Sequence, residues 1–198
     1  MDLYRSKARV VGGLGPVVGW LAARGVSPDA VTLAAVPVAV VGGACLLLST
    51  SQPALLLLVP FLAAARLVLN LLDGALARTT GRTHPRGELY NEVGDRLADL
   101  ALLVPVAFLP GTDATLVLLG ALGAVLASFV GVTVRAAGGE RTYRGILSKP
   151  GRMVLLSIVA VAAFIHGPAA WGWFGPILLI GTALTVGERF VVGIRRLP

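Results

Sequence analysis

The chain has 198 residues, of which 56% are hydrophobic and only 14% are charged, and its mean hydropathy is +0.85. Soluble domains carry roughly 45–50% apolar and about 25% charged residues, and a chain this short leaves much of its surface exposed, so lipid must solvate the apolar excess and a soluble fold is excluded. The net charge is +7, but the basic residues lie between and beyond the apolar runs, which favours anionic lipid headgroups and phosphate-bearing substrates over nucleic acid.

The chain is predicted to begin with an interfacial amphipathic helix over residues 3–24, whose apolar positions and Trp20 are flanked by Arg5, Lys7, Arg9 and Arg24. Six apolar stretches follow that are long enough to span a membrane. We place them at 29–48, from 54 into the region of Asp73, 87–109, 114–134, 153–165 with a start extended toward Lys149, and 173–192. The sequence therefore predicts an all-α fold: one membrane domain over 1–198, with six transmembrane helices between 29 and 192.

The charges of the connecting segments alternate along the chain. Arginine and lysine occur before the first span, between the second and third, between the fourth and fifth, and after the sixth, and they are absent from the other three connections. Lysine and arginine collect on the cytoplasmic side of a membrane. We therefore expect an integral protein of the inner or cell membrane, with both termini and all basic connections in the cytoplasm.

One segment concentrates polar side chains at membrane depth. Asn70 and Asp73 lie on the second span, and Asn91, Asp95 and Asp99 form a stripe on the third, because residues three or four apart share a helix face. The short connection predicts that the two helices are antiparallel neighbours with these stripes facing each other. Such oxygen ligands suit Mg²⁺ or Mn²⁺, which predicts a metal site at the cytoplasmic edge of the bilayer. The alternative is a set of interhelical hydrogen bonds and ion pairs that only hold the bundle together.

The spacing of this segment resembles the signature of the CDP-alcohol phosphotransferase family: Asp, two residues, Asp-Gly, two residues, Ala-Arg, eight residues, Gly, three residues, Asp, three residues, Asp. Six positions match in identity and spacing, namely Asp73, Gly74, Ala77, Arg78, Gly87 and Asp95. Asn70 stands where the first aspartate is expected, and Asn91 stands where the third is expected. The six spans and the amphipathic start are also similar to the family, so the resemblance extends over essentially the whole chain.

The resemblance implies a metal-dependent transferase of phospholipid biosynthesis. It would move a phosphatidyl group from a CDP-linked lipid, expected to be CDP-diacylglycerol, to an alcohol and release CMP. Asp95 would be the general base, and one or two Mg²⁺ or Mn²⁺ ions would be bound by Asn70, Asp73, Asn91 and Asp95. Two asparagines leave two carboxylates where the family has four, so charge balance favours one tightly held cation, or two only when a substrate diphosphate is present. Asp99, one turn beyond Asp95, is our candidate for restoring negative charge.

The resemblance also implies contacts with the CDP-lipid by Thr32, near the start of the first span, and by Gly74, Ala77, Arg78 and Gly87. Around Thr32, the Ser27-Pro28 pair equally well predicts a helix cap alone. Arg135 and Lys149 are candidates for holding an anionic group of the acceptor, with positive-inside orientation as the alternative role. A homodimer would fit the family.

Two other functions are compatible with the sequence. A family member that has lost catalysis would bind CDP-lipid without turnover. A small ion-coupled transporter would use its carboxylates for a coupling ion, but such a site should lie near the bilayer midplane. The acceptor alcohol stays open among serine, glycerol phosphate, inositol phosphate and others.

Overall fold

The computed structural model describes residues 13–140 and 142–197, and in this part of the chain all regular structure is helical. The described α-helices are α1 (Gly15–Ala23), α2 (Pro28–Leu48), α3 (Val59–Thr80), α4 (Pro85–Leu103), α5 (Ala114–Ala136), α6 (Lys149–His166) and α7 (Phe174–Ile194). Short 3-10 segments precede α3, follow α4 and precede α7, at Pro53–Leu58, Val104–Phe108 and Pro168–Trp173. The predicted all-α membrane bundle is confirmed.

Within the described part of the chain, five helical segments are long and apolar enough to cross a membrane: Pro28–Leu48, Pro53–Thr80, Ala114–Ala136, Lys149–His166 and Pro168–Ile194. The third predicted span, 87–109, is not among these: it corresponds to α4, which is too polar to qualify because it carries Arg86, Glu88, Glu92, Asp95, Arg96 and Asp99. These charges do not surround the helix. Leu89, Val93 and Leu97, four residues apart, form an exposed apolar stripe, while Asp99 is buried on another face. A helix with its apolar face outside and its charged face inside is typical of a membrane bundle.

Local sequence signals explain where several helices begin and end. Ser27 accepts a hydrogen bond from Ala30 N at 3.2 Å at the start of α2, and Asp113 accepts one from Leu116 N at 3.1 Å at the start of α5. Both are favoured N-cap residues. Gly81, with φ +66°, ends α3, seven residues beyond the predicted Asp73 boundary. The predicted amphipathic helix is described from Gly15 onward, and its Arg5, Lys7 and Arg9 lie outside the described residues.

Helix α2 packs extensively against both α3 and α4, α3 packs against α6, and α5 pairs with α7. Helices α3 and α4 meet through polar side chains, as expected of neighbours with facing polar stripes, whereas α2 makes the closer backbone contacts with each of them. The α5–α7 pair is close because of glycine. A Cβ on Gly120 would lie 2.7 Å from Leu178 Cγ, and one on Gly123 would lie 2.5 Å from Thr182 Oγ1. Small residues allow such close packing in membranes.

Candidate active site

Asp73 on α3 is buried, and both of its carboxylate oxygens accept hydrogen bonds. Thr32 Oγ1, from α2, donates to Oδ2 at 2.8 Å, and the Gly74 backbone N–H donates to Oδ1 at 2.5 Å. Thr32 lies one turn into α2, within 3.2 Å of the Pro28 carbonyl oxygen. The residue that we expected to contact the nucleotide therefore fixes the orientation of a signature aspartate.

Asp95 is the point at which α3, α4 and α6 meet. Asn70 Nδ2, from α3, donates a short hydrogen bond to Oδ1, and the Lys149 ammonium, from the start of α6, forms an ion pair with Oδ2. Arg66 Nη2, also from α3, donates to the backbone carbonyl oxygen of Asp95 at 3.0 Å. The predicted meeting of the two polar stripes is therefore present at Asn70 and Asp95, with a lysine added from a third helix.

Asp99 lies one turn further along α4 and has different partners. Its Oδ1 lies 2.6 Å from Arg66 Nη2, and its Oδ2 lies 2.6 Å from Arg152 Nη2. The residue is only 4% exposed, and the two arginines are 0% and 2% exposed. Both oxygens of Asp99 therefore face guanidinium groups, so a metal ion could bind this carboxylate only by displacing an arginine; its role as a metal ligand stays a prediction.

Arg152 is the main residue of this region that the sequence interpretation missed. We grouped it with the basic residues of a cytoplasmic connection, but it lies within α6 and is buried. A usable signal was present: α6 begins at Lys149, which puts Arg152 one turn inside a membrane-depth helix. A buried arginine there needs either a carboxylate or backbone carbonyl oxygens as partners, and Asp99 was the candidate carboxylate on the neighbouring polar stripe.

Arg189, which lies inside the sixth predicted span, was also not identified from the sequence. It is buried in α7, where its guanidinium donates to three backbone carbonyl oxygens: those of Arg144 at 2.8 Å, Ala127 at 2.7 Å and Tyr143 at 3.3 Å. The Leu147 N–H donates to Thr185 Oγ1, also on α7, at 2.9 Å. These bonds fix the segment that leads into Lys149.

The remaining candidates for binding the CDP-lipid lie around this centre. Ala77 is half-buried and Arg78 is exposed; a Cβ on Gly74 would lie 3.4 Å from Arg78 Nη1. Gly87 lies at the start of α4, where its N–H donates to His84 Nδ1 at 3.0 Å. A Cβ on Gly87 would lie 3.0 Å from Asp29 Oδ1, so this glycine allows the starts of α2 and α4 to approach.

The two candidate acceptor residues are separated by the structure. Lys149 joins the centre through Asp95, whereas Arg135, at the end of α5, forms an ion pair with Glu88. Glu88 lies two turns before Asp95 on α4, and both members of its ion pair are about half exposed. Arg135 thus lies outside the buried part of the site.

The polar side chains around Asp73 and Asp95 offer oxygen donors of the kind that a divalent cation binds. Among residues 13–140 and 142–197, no three His, Cys, Asp or Glu side chains are placed to share a metal ion. Two carboxylates, Asp73 and Asp95, interact electrostatically with each other, and Asn70 is hydrogen-bonded to Asp95. Asn91 lies one turn before Asp95 and is half-buried. All four supply oxygen atoms of the type that Mg²⁺ and Mn²⁺ prefer.

Comparisons with known proteins agree with this fold. No family model matches the chain. The chain is 34% identical over 190 residues to the inner membrane protein YnbA of Escherichia coli (strain K12), with 93% of this chain and 94% of the relative covered. It is 30% identical over 138 residues to the archaetidylinositol phosphate synthase of Aeropyrum pernix, with 69% of this chain and 68% of the relative covered.

Solved structures of the phosphatidylinositol phosphate synthase PgsA1 of Mycobacterium tuberculosis share the fold. The complex with manganese and citrate aligns with a TM-score of 0.75 at 21% identity, covering 91% of this chain and 88% of that chain. The structure with CDP-DAG bound aligns with a TM-score of 0.65, covering 92% and 90%. The fold and the comparisons define an integral membrane protein of this helical architecture. The chain belongs to the CDP-alcohol phosphotransferase family.

Proposed function

We propose that this chain is a phosphatidyltransferase that moves a phosphatidyl group from a CDP-linked lipid to an alcohol and releases CMP. The observation that carries the proposal is the meeting of α3, α4 and α6 at Asp95, beside an Asp73 that α2 holds through Thr32. Relatives support it: one is named an archaetidylinositol phosphate synthase, and a structural neighbour has been solved with CDP-DAG bound. CDP-diacylglycerol is accordingly the donor we propose.

The donor's diphosphate would lie at the cytoplasmic ends of α3 and α4. Asn70, Asp73, Asn91 and Asp95 would hold a Mg²⁺ or Mn²⁺ ion there, and a bound cation would neutralise negative charge on the phosphoryl oxygens. A structural neighbour was solved with manganese, which supports this choice of ions. Arg78 is the exposed cation nearest the signature glycine Gly74, and it is suited to pair with the diphosphate.

The reaction requires one proton transfer and one exchange of bonds at phosphorus. The acceptor oxygen forms a bond to the phosphorus that carries the lipid, and the bond from that phosphorus to the CMP oxygen breaks, with the electron pair leaving on CMP. Asp95 would take the proton of the acceptor hydroxyl. Asn70 and Lys149 hold the carboxylate from two sides, so its position is fixed before substrate binds, and such positioning lowers the barrier.

Acceptor binding, membrane orientation and assembly are also part of the proposed function. Arg135, whose partner Glu88 is exposed, is available to exchange that partner for an anionic group of the acceptor. The alternation of basic connections supports a cytoplasmic active site with both termini inside, and a homodimer is proposed from the family resemblance.

The test is CMP release by the purified protein in detergent, with CDP-diacylglycerol, Mg²⁺ or Mn²⁺ and a panel of alcohols. We expect release that depends on the metal, on one alcohol and on Asp95, so that Asp95→Asn abolishes it. Asp113→Asn is the matched control, because Asp113 caps α5 away from the site and asparagine caps equally well. Binding of CDP-lipid without release for any alcohol would refute the transferase and favour a lipid-binding role.

A further inference from the structure

The charges around Asp95 balance within the protein itself. Three carboxylates, Asp73, Asp95 and Asp99, are matched by three cationic side chains, Arg66, Lys149 and Arg152. Asp99 is paired with both arginines and Asp95 is paired with Lys149, whereas the partners of Asp73 among the described residues are the neutral donors Thr32 and Gly74. The negative charge that is not paired within the protein is therefore concentrated at Asp73.

The start of α6 positions Lys149 beside Asp95. This lysine is the first residue of the helix. One turn later, Arg152 pairs with Asp99 and donates to the Leu147 carbonyl oxygen at 3.1 Å, so the start of α6 is fixed on both sides of Lys149. The lysine side chain is only 25% exposed. Because the backbone of Lys149 is already fixed, holding its ammonium in one place costs only the conformational entropy of the side chain.

We propose that the Lys149 ammonium is a built-in cation of the active site that takes the place of a second divalent ion, so that each chain binds one Mg²⁺ or Mn²⁺. The inference rests on the proposed function and refines its metal requirement. Two divalent ions would bring four positive charges to two carboxylates, one of which is already neutralised by Lys149. A lysine acts on phosphate as a compact point charge, which is the contribution that the second ion would otherwise make.

The geometry also determines how the charge is used. Asp95 takes the acceptor proton, so the reacting phosphoryl group must lie within reach of it. The ammonium on Oδ2 is then beside the same phosphoryl oxygens, where fixed positive charge stabilises the developing negative charge. The single divalent ion lies on the Asp73 side, with the amide oxygens of Asn70 and Asn91 as neutral ligands.

The test counts bound ions and does not depend on turnover. Mn²⁺ binding to the purified protein is measured by electron paramagnetic resonance and equilibrium dialysis, with and without CDP-diacylglycerol. We expect one Mn²⁺ per chain in both conditions. Lys149→Met should bind Mn²⁺ roughly ten- to a hundredfold more tightly, since a cation that repels the ion is gone, and should take a second ion when CDP-lipid is present.

Three further variants keep the inference falsifiable. Arg196→Met removes an exposed arginine that lies 4.0 Å from Glu140, and it should leave the ion count and affinity unchanged. Lys149→Arg keeps the charge and should keep one ion. Asn70→Asp with Asn91→Asp should bind two ions only when Lys149→Met is added.

Two Mn²⁺ per wild-type chain with CDP-lipid present would overturn the inference, as would an unchanged count and affinity in Lys149→Met. The proposed function fails separately: one bound ion without CMP release for any alcohol would refute the transferase and leave the ion count standing. CMP release by a chain that holds two ions would support the transferase and refute the inference of a single ion.

Discussion

Asp95 and Asp99 lie one turn apart on the same helix, yet the structure gives them opposite environments. Asp95 accepts from an asparagine and pairs with a lysine at the first residue of α6. Asp99 lies between two arginines that are almost completely buried. The same side chain is therefore partly accessible at one position and enclosed by two buried cations at the other.

The two aspartates differ in how easily the partners of their carboxylates can be replaced. The partners of Asp95 are an amide and a partly exposed ammonium, and a bound ion or phosphate can replace either contact. The guanidinium groups that pair with Asp99 are buried, and each is also held by a backbone carbonyl oxygen. Arg66 donates to that of Asp95 and Arg152 donates to that of Leu147. Separating buried charges costs far more than rearranging charges near water.

The largest expected effect is therefore structural. Asp99→Ala leaves two buried arginines without their carboxylate, and removing one partner from a buried ionic group costs about 3–5 kcal/mol. We expect the free energy of unfolding, measured by denaturant titration in mixed micelles, to fall by that amount. Asp113→Ala, which loses only an exposed helix cap, should cost about 1 kcal/mol.

A triple variant sharpens this prediction. Replacing Arg66, Asp99 and Arg152 together by Met, Leu and Met removes all three charges, and such apolar replacements of buried ion triads are often neutral or stabilising. The triple variant should be more stable than Asp99→Ala. If Asp99→Ala unfolds like the wild type, Asp99 is not a structural anchor and the contrast with Asp95 is lost.

The opposite behaviour is expected of Asp95→Asn. Asparagine keeps the shape of the side chain and an oxygen for Lys149, so the free energy of unfolding should change by no more than about 1 kcal/mol. CMP release should fall by roughly 10²–10⁴-fold because the general base is lost. A variant that retains wild-type release would show that another group takes the proton.

The sequence was sufficient to predict the fold and the meeting of Asn70 with Asp95, because helical spacing places polar residues on one face and hydropathy locates the spans. It did not predict the partners of Asp99. Arg152 follows Lys149 by three residues. Only the packing of α6 against α3 determines that Arg152 is buried and that Lys149 is partly exposed.

The sequence also did not predict that Thr32 bonds to Asp73. Ser27 and Pro28 accounted for the start of α2 without it, and the interpretation considered only the contact between α3 and α4. The structure also places α2 against both. Such contacts between residues far apart in sequence depend on the helix arrangement, for which the local pattern carries no signal.

A smaller effect is expected from Thr32→Val, which keeps the shape of the side chain but removes the donor to Asp73 Oδ2. The loss of one net hydrogen bond costs about 1 kcal/mol, and a less restrained Asp73 should weaken Mn²⁺ binding by roughly fivefold to tenfold, the equivalent of about 1–1.4 kcal/mol. Thr182→Val is the matched control, because the Thr182 hydroxyl bonds only to carbonyl oxygens of its own helix. Equal Mn²⁺ affinity in the two variants would mean that Thr32 does not position Asp73.

The smallest effect on stability is expected at the rim of the site. Arg135→Met breaks an exposed ion pair with Glu88, and exposed pairs contribute only about 0–1 kcal/mol, so unfolding should be nearly unchanged. If Arg135 binds an anionic acceptor, the KM for that acceptor should rise several-fold at constant kcat, since an interaction made equally in the ground and transition states is lost. Arg196→Met, beside Glu140, removes the same charge elsewhere and should leave the KM unchanged. Glu88 lies two turns before Asp95 on α4. A change in kcat instead of KM would therefore mean that the exposed Arg135–Glu88 pair affects Asp95 through this helix.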